Sequence, residues 1–505
     1  MRYRWNAAVV SAVAAAALVS VPFSGDDGSR GPEPAGVSGL VVGEPVPIPS
    51  LPLASPQGTW IAMRADLGEE RTGLALHRVS DLSGGVVWES PFLTPLAFSL
   101  DDTWLLVDEW LGPGEQRLAL VEAATGDIEV LPFHGDAAFT PDSSWLLLDI
   151  GPASDAELWS IRLSDMTTTL LDRGRVVRRH PGISALMAGD GITVVYDRSH
   201  GDRAADLWSV PITGGVPVRI NHPEAVETGS GAHRYTLSPD GSRVLYVARP
   251  SGEPATLFSA AVDGTDLRRV DLGDPGLLVR GIEVLSDGVL VLARTGEDRP
   301  VFWCEHDGTG VRRLPGFGDL SGVMNLYVAP DESFAVFDTR DGIVGTVPLP
   351  EGEPATLFTD GLVPWSQHPD DPQSPVLWTT PNAHAAGLWG PTPATFAPIP
   401  VTDDYDPVVG LGGGDGTLLD GHYLVYRRNT TSPEQPTDLY ARAFVSGAEA
   451  RLSPPLPEGE WVLDVVVLPD GRHVAYSTGW AEVIEERVDY HITGTFLLEV
   501  GEARD

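Results

Sequence analysis

Short runs of apolar residues alternate along the chain with polar turns, and this arrangement recurs at intervals of about 46 residues. The segment 237–242, LSPDGS, shows the turn: Asp accepts a hydrogen bond from the backbone two residues on, and Gly supplies a positive φ. Helical periodicity is nearly absent after the first 24 residues. The pattern therefore predicts an all-β protein.

Ten copies of the unit align, each with an apolar or aromatic residue at one place in the strand after the turn. These residues are Trp60, Trp104, Trp145, Val194, Val244, Leu290, Phe334, Val376, Tyr423 and Val474. Each copy predicts a lead strand, the strand after the turn, a third strand such as 206–212, DLWSVPI, and a more polar fourth such as 266–273, DLRRVDLG. The eighth copy, around Val376, is the most degenerate.

Short strands, tight turns and this spacing predict a β-propeller of about ten four-stranded blades. The last copy ends at Val500 without a fourth strand, whereas the piece at about 40–48 is strand-like and has no unit of its own. We expect these two segments to pair and to close one ring, because two free edges would otherwise be exposed. Two smaller rings are the alternative. The repeat domain then spans 39–505.

Two blocks, 188–220 and 238–270, resemble the WD-repeat-like unit of TolB-type propellers. The first reads AGDGITVVYDRSHGDRAADLWSVPITGGVPVRI and the second SPDGSRVLYVARPSGEPATLFSAAVDGTDLRRV. The propeller domain of prolyl-oligopeptidase-like peptidases has a similar unit. The resemblance covers 40–500 and implies the fold, but not a function. TolB has an additional N-terminal domain for which 24–38 is too short, so we do not expect the role of TolB to carry over.

The charge of the sequence restricts the possible partners more than its hydrophobicity does. Hydrophobic residues make up 42% of the 505, enough for a packed core. Asp and Glu number 71 against 33 Lys and Arg, which gives a formal net charge of -38. A surface this acidic repels the phosphates of nucleic acids and of anionic lipids, so we exclude nucleic acid as a partner. It serves solubility, and it also attracts cations or a basic partner.

The first 24 residues have the layout of a secretory signal. Arg2 and Arg4 precede an uncharged, Ala- and Val-rich run that ends at Phe23, after which the sequence becomes polar. The run is short and weakly apolar for a permanent span, and an uncleaved N-terminal anchor is the alternative. We expect a signal in 1–24, a flexible linker in 25–38, and a periplasmic or extracellular protein.

No local pattern in the sequence predicts catalysis or metal binding. A serine peptidase needs Gly-x-Ser-x-Gly and an α/β domain, and neither is found. The 12 histidines are scattered singly, without zinc-site spacing, and Asp in the GDD and DGT pieces is expected to serve turns. Cys304 has no cysteine to pair with and is expected to be a buried structural thiol. We predict no catalytic residue, no metal and no cofactor.

The loop between the second and third strands contains an arginine in five copies. These are Arg198, Arg249, Arg294, Arg340 and Arg427. In a propeller such loops lie on one rim, so we expect a local ring of guanidinium groups that binds a small anionic ligand or the acidic segment of a partner protein. The alternative is that each arginine pairs with a neighbouring Asp and fixes its own loop.

The sequence as a whole predicts an exported, non-enzymatic, monomeric propeller that acts as a scaffold for a protein or ligand. The alternative is a propeller-type enzyme, a polysaccharide lyase or a glycosidase, whose catalytic residues come from several blades into a central funnel and leave no local motif.

Overall fold

The computed structural model describes residues 40–502 apart from short internal stretches and the longer ones 174–184, 222–233, 366–375, 390–416 and 429–437. Every helix or strand within these residues is a β-strand, which confirms the predicted all-β class. Within the same residues, no helix exists that is long and apolar enough to cross a membrane. The predicted signal and linker lie outside the described residues.

Strands are numbered in chain order. Those before residue 132 are β1 (Leu40–Val42), β2 (Val46–Pro47), β3 (Leu53–Ala54), β4 (Trp60–Gly68), β5 (Arg71–Arg78), β6 (Gly84–Ser90), β7 (Leu93–Phe98), β8 (Trp104–Gly112), β9 (Glu115–Glu122) and β10 (Ile128–Val130). Those of the middle of the chain are β11 (Gly135–Phe139), β12 (Trp145–Ile150), β13 (Glu157–Arg162), β14 (Thr167–Arg173), β15 (Ala185–Met187), β16 (Thr193–Ser199), β17 (Ala205–Pro211), β18 (Val218–Arg219), β19 (Arg234–Leu237), β20 (Arg243–Ala248), β21 (Thr256–Ala261), β22 (Arg268–Arg269), β23 (Leu278–Val284), β24 (Val289–Arg294), β25 (Val301–Cys304), β26 (Arg312–Arg313), β27 (Val323–Val328), β28 (Phe334–Thr339), β29 (Val344–Pro348) and β30 (Ala355–Phe358). The last are β31 (Leu362–Trp365), β32 (Val376–Thr379), β33 (Ala386–Trp389), β34 (Thr417–Leu418), β35 (Tyr423–Arg428), β36 (Asp438–Ala443), β37 (Glu449–Arg451), β38 (Trp461–Val467), β39 (His473–Ile484) and β40 (Arg487–Glu502).

The described residues divide into two compact units. Unit 1, residues 132–363, contains five four-stranded sheets, built in turn from β11–β14, β15–β18, β19–β22, β23–β26 and β27–β30. Unit 2 joins 40–131 to 364–502 and contains the sheets β3–β6, β7–β10, β31–β33 and β34–β37, together with a sheet in which β1 and β2 accompany β38–β40. Within the repeated sheets successive strands are neighbours, the arrangement of a propeller blade.

The second strand of each sheet lies where the sequence places it. Trp60, Trp104 and Trp145 begin β4, β8 and β12, and the equivalent residue of each later copy is the first or second residue of its strand. The degenerate eighth copy has three strands in the described part of the chain. The four-part unit is therefore confirmed, whereas the number of sheets in one ring stays a prediction.

The core lies between neighbouring sheets. In unit 1, Val195 and Leu207 pack with Tyr246 and Phe258 of the next sheet, and the two rings stack with centroids 5.3 Å apart. All four side chains are buried, and each contributes about 1.5–3 kcal/mol by burial. Because sheets lie on both sides, the central strands are apolar on both faces, which explains the continuous runs in the sequence.

Strands β1 and β2 pair antiparallel with β40, so that residues from opposite ends of the sequence complete one sheet of unit 2. Val42 lies opposite Val500 and packs on the core of that sheet. Ile48 packs with Leu497 and with Ile61 of β4. The predicted pairing of segment 40–48 with the C-terminal copy is confirmed.

The last hairpin is longer than predicted. The sequence predicts strands over 473–477 and 495–500, whereas β39 and β40 continue to a final pair between Ile484 and Arg487. Charged residues interrupt the apolar pattern here, but β-branched residues such as Val483, Ile484 and Val488 continue through it and favour an extended backbone.

Candidate functional site

The turn between the first and second strands is closed by a serine or threonine and by the aspartate two residues later. The hydroxyl of Ser238 donates to Asp240 at 2.6 Å, and the amides of Ser242 and Arg243 donate to Asp240 and Ser238 at 3.0 Å. The same bonds recur at Ser99 with Asp101 and at Thr140 with Asp142. The recurring aspartate thus replaces backbone partners that a tight turn cannot supply.

One turn lacks this aspartate and receives a carboxylate from the next sheet. Gln57 occupies the position, and Asp102 of the following turn accepts hydrogen bonds there from Ser55 Oγ at 2.7 Å and from two backbone amides. The amides belong to Gln57, at 3.0 Å, and to Thr59, at 3.1 Å. Asp102 is 5% exposed and has a φ of 60°, the conformation that Gly241 adopts in its own turn.

Glu332 makes a similar contact in unit 1. Its φ is 55°, and its carboxylate accepts from the amide of Ser286 at 2.7 Å and from the hydroxyl of the same serine. An acidic residue at the glycine position of a turn therefore ties that turn to the one before it. We did not predict this role, although the signal is visible in the sequence as Asp or Glu where other copies have Gly.

A cleft of about 670 Å³ lies between the turns of two neighbouring sheets of unit 1, β15–β18 and β19–β22. Its polar lining includes Asp190, Asp240 and Asp263, and we call the recess the acidic cleft and these three groups the cleft carboxylates. Its apolar wall consists of Val210, Pro211, Val218, Ala261 and Val262. No Lys, Arg or His is among its lining residues. The recess thus combines negative charge with hydrocarbon.

A pair of glycines lets the two turns touch at one side of the acidic cleft. The amide of Gly189 donates to the carbonyl of Gly241 at 3.2 Å. A Cβ on Gly189 would lie 1.8 Å from the carbonyl oxygen of Asp240, and one on Gly241 would lie 1.8 Å from the nitrogen of Gly189. Gly241 also has a φ of 62°, which side chains rarely adopt. Only glycine fits this approach.

The cleft carboxylates are held in their charged form. Hydrogen bonds from the hydroxyl of Ser238 and from Ser242 lower the pKa of Asp240, and those from the hydroxyl and amide of Thr265 lower the pKa of Asp263. At Asp190 burial acts to raise the pKa, but the hydroxyl and amide hydrogen bonds of its turn outweigh this and lower it. These groups therefore carry full negative charge at neutral pH.

A buried serine on the third strand also lines the acidic cleft. Ser160 and Ser259, at the same position in two other sheets, each donate to a carbonyl of the next sheet at 2.6 Å, that of Ile212 and that of His306. Ser209 is 3% exposed, and its hydroxyl makes no hydrogen bond within the described part of the chain. The cleft therefore lies where one inter-sheet hydrogen bond of the series is missing.

Metal binding finds no support in the part of the chain that the structure describes. There, no three His, Cys, Asp or Glu side chains are close enough together to hold one ion. The cleft carboxylates are therefore not such a group.

The structure describes the side chains of three of the five predicted rim arginines. Arg198 donates to the carbonyl of Arg173 at 2.9 Å, lies 3.5 Å from a carboxylate oxygen of Asp172 and stacks over Trp208. Arg294 donates to a carbonyl two residues on, and Arg249 is exposed. Arg427 lies in β35, its side chain outside the description, and Arg340 is outside the described residues. The contacts of Arg198 and Arg294 are of the loop-fixing kind, and the ring of five stays a prediction.

Cys304 is fully buried, as predicted for a structural thiol. Burial raises the pKa of this thiol to about 12, with a smaller effect from the carboxylates of Asp307 and Glu305. A thiol with so high a pKa has almost no reactive thiolate at neutral pH.

No model of a known protein family matches the chain, and no curated protein matches its sequence. Among solved structures, TolB from Acinetobacter baumannii is similar at 18% identity and a TM-score of 0.27, over 50% of this chain and 63% of TolB. A prolyl endopeptidase is similar at 13% identity and a TM-score of 0.38, over 78% of this chain and 55% of its own. An oligogalacturonate lyase in complex with manganese is similar at 14% identity and a TM-score of 0.35, over 65% of this chain and 95% of its own. Likeness at these levels does not extend to an activity. The repeated unit and the four-stranded antiparallel sheets that it forms are those of a β-propeller.

Proposed function

We propose that the protein is an exported, non-catalytic binding protein whose acidic cleft captures a basic segment of another protein. The observation that carries this proposal is the cleft itself, a recess of about 670 Å³ with three carboxylates, an apolar wall and no basic group in its lining. A recess that buries part of a ligand and neutralises its charge is suited to recognition.

The charge of the whole protein supports a basic partner. With a formal net charge of -38, its field attracts cations over about 10 Å at ordinary ionic strength and raises the rate of encounter. The cleft carboxylates then provide specific contacts at close range. Attraction of this kind weakens as salt is added.

The lowered pKa values favour binding over proton transfer. A general acid works best when its pKa lies near the operating pH, whereas the pKa values of Asp190, Asp240 and Asp263 lie below the ordinary 3.8 of an aspartate. Their protons are gone long before neutral pH. Permanent anions of this type stabilise a cation but do not donate a proton to a leaving group.

Export is supported by the sequence of residues 1–24 and by the single cysteine, which leaves an oxidising compartment without effect on the fold. N-terminal sequencing of the protein recovered from the envelope or medium tests this part. A first residue beyond about position 20 is expected, because signal peptides are removed in the mature protein. Recovery from the cytoplasm with an intact N-terminus would contradict export.

Binding is tested by titrating the full-length protein with decalysine and, as the matched control, decaglutamate. Calorimetry at about 50 mM and about 300 mM salt is expected to show decalysine binding that weakens at the higher salt, because the charges are then screened. Decaglutamate is expected not to bind. Failure of decalysine to bind at either salt, or turnover of oligogalacturonate by the same preparation, would overturn the proposal.

A further inference from the structure

We infer that the acidic cleft is a socket for one lysyl side chain of the basic partner, with its ammonium group held by the Ser209 hydroxyl and the open oxygen of Asp263. This inference rests on the proposed function and names the group that the site recognises. Three features of the cleft point to lysine: an unsatisfied hydroxyl, carboxylates with few open positions, and an apolar wall beside them.

The hydroxyl of Ser209 is the first feature. The residue is 3% exposed and lines the cleft, whereas the equivalent serines Ser160 and Ser259 each reach a carbonyl of the next sheet. Val262 occupies the place in its sheet that Ile212 occupies in the sheet before it. The amide of Ile212 donates to the carbonyl of Ile192, and the amide of Val262 donates in the same way to the carbonyl of Ser242. The carbonyl that corresponds to the partner of Ser160 is therefore, for Ser209, that of Val262. The missing bond leaves a hydroxyl oxygen in the cleft as an acceptor for a ligand.

The carboxylates are the second feature. A guanidinium group binds a carboxylate best through two parallel hydrogen bonds, which occupy both oxygens. At Asp190 and Asp240 both oxygens already accept bonds from their own turns. At Asp263 the amide and hydroxyl of Thr265 share Oδ1, which leaves Oδ2 open. The one open oxygen, at Asp263, suits the compact ammonium group of lysine better than the planar fork of arginine.

The apolar wall is the third feature. Val210, Pro211 and Val262 lie on the same recess as the carboxylates, and the methylene stem of lysine buries against such a surface while its charged end reaches a polar partner. A free metal ion has no stem to use this wall, and the described residues contain no group of three His, Cys, Asp or Glu side chains that could hold one. The occupant to which these features commit is therefore an alkylammonium side chain on a partner protein.

The test uses the full-length protein and two labelled decapeptides, one alternating glycine with lysine and the other glycine with arginine. Fluorescence anisotropy is expected to give a lower dissociation constant for the lysine peptide. Asp263→Asn is expected to weaken that peptide about tenfold, because a hydrogen bond to a charged group is lost while the amide oxygen still accepts from Thr265. Ser209→Ala is expected to weaken binding of the lysine peptide severalfold. Each of the two substitutions is expected to abolish the preference for the lysine peptide over the arginine peptide.

Asp165→Asn is the matched control. Asp165 closes the equivalent turn of the sheet β11–β14, where it accepts from the amide of Thr167, and it is not among the cleft residues. The substitution removes the same charge, so it is expected to change the affinity less than about twofold and to keep the preference for lysine. Equal weakening by Asp165→Asn and Asp263→Asn would overturn the socket, since diffuse charge would then explain the binding.

The two proposals fail in different ways. If both peptides bind equally well and no cleft substitution matters, the lysine socket is wrong while the binding of basic segments stands. If neither peptide binds, both proposals are wrong. Spermidine is the third probe: spermidine binding that Asp263→Asn weakens, and that is tighter than the binding of the lysine peptide, would show a free polyamine as the ligand of the cleft and would overturn the assignment to a partner protein.

Discussion

A serine occupies the same position of the third strand in three sheets, so the substitution of this serine by alanine can be compared in three different surroundings. Ser160 and Ser259 are fully buried and donate to a carbonyl of the next sheet at 2.6 Å, whereas Ser209 is equally buried without such a bond. Ser160→Ala and Ser259→Ala leave a carbonyl without its donor inside the protein, and Ser259→Ala also removes the acceptor of the Arg243 Nε hydrogen bond at 2.8 Å. The expected cost is about 1–3 kcal/mol each, the penalty for a buried group that loses its partner.

Ser209→Ala removes no hydrogen bond and is expected to change the free energy of unfolding by less than about 0.5 kcal/mol. All three serines lie in unit 1, so one unfolding transition reports on all of them. The assay is urea unfolding followed by tryptophan fluorescence, because Trp159 and Trp208 are next to Ser160 and Ser209 in their strands. With a slope of about 3 kcal/mol per M, the first two midpoints fall by about 0.3–1 M.

A midpoint for Ser209→Ala that falls as far as the other two would refute this reasoning, because the hydroxyl would then have a partner that stabilises unit 1. Equal and negligible shifts for all three would refute it in the other direction, since the inter-sheet bonds would contribute nothing. Only the separation of Ser209 from the other two supports a cleft opened by a missing bond.

Four further predictions concern other parts of the chain. Asp102→Gly is expected to destabilise unit 2 by about 2 kcal/mol or more, because three hydrogen bonds are lost. Adding Gln57→Asp is expected to restore part of that stability, as measured by thermal melting. A double variant that is no more stable than the single one would contradict this. The cleft carboxylates have folded-state pKa values below the ordinary 3.8. Their contribution to the free energy of unfolding is therefore present above about pH 4 and is lost as the pH falls through the folded-state pKa values. A urea midpoint that rises on acidification below pH 4 would contradict this. Deletion of 39–48 exposes the edge of β40 and is expected to produce dimers or larger species in size-exclusion chromatography with light scattering, where a monomer would argue against a protective role. Joint alanine substitution of Arg198 and Arg340 separates the two roles of the rim: unchanged melting with loss of an anionic ligand indicates binding, and a lowered melting temperature indicates loop fixing.

Much of the architecture could be predicted because it is encoded in local patterns. The Ser-x-Asp turns, the apolar strands after them and the strand-like segment at 40–48 are each recognisable within about ten residues. The pairing with β40 followed from counting strands, since one copy lacked a fourth and one segment lacked a unit. The length of the last hairpin was missed because charged residues interrupt its apolar pattern.

The acidic cleft was missed for a different reason. Ser160, Ser209 and Ser259 are the same residue at the same place in three copies, and nothing near them in the sequence distinguishes the one that lacks a bond. The role of Asp102 was hidden as well, because its turn looks merely irregular until the neighbouring turn without an aspartate is placed beside it.

The union of β1 and β2 with β40 joins strands that the ribosome makes at very different times. Strands β1 and β2 are synthesised before every other described strand, and β40 emerges after all of them. Contacts between such distant residues form late, and an unoccupied edge invites pairing with other chains until they do. A chain that stops before β40 leaves β1 and β2 without their partner. Among the described sheets, this one is therefore the last to be completed during synthesis.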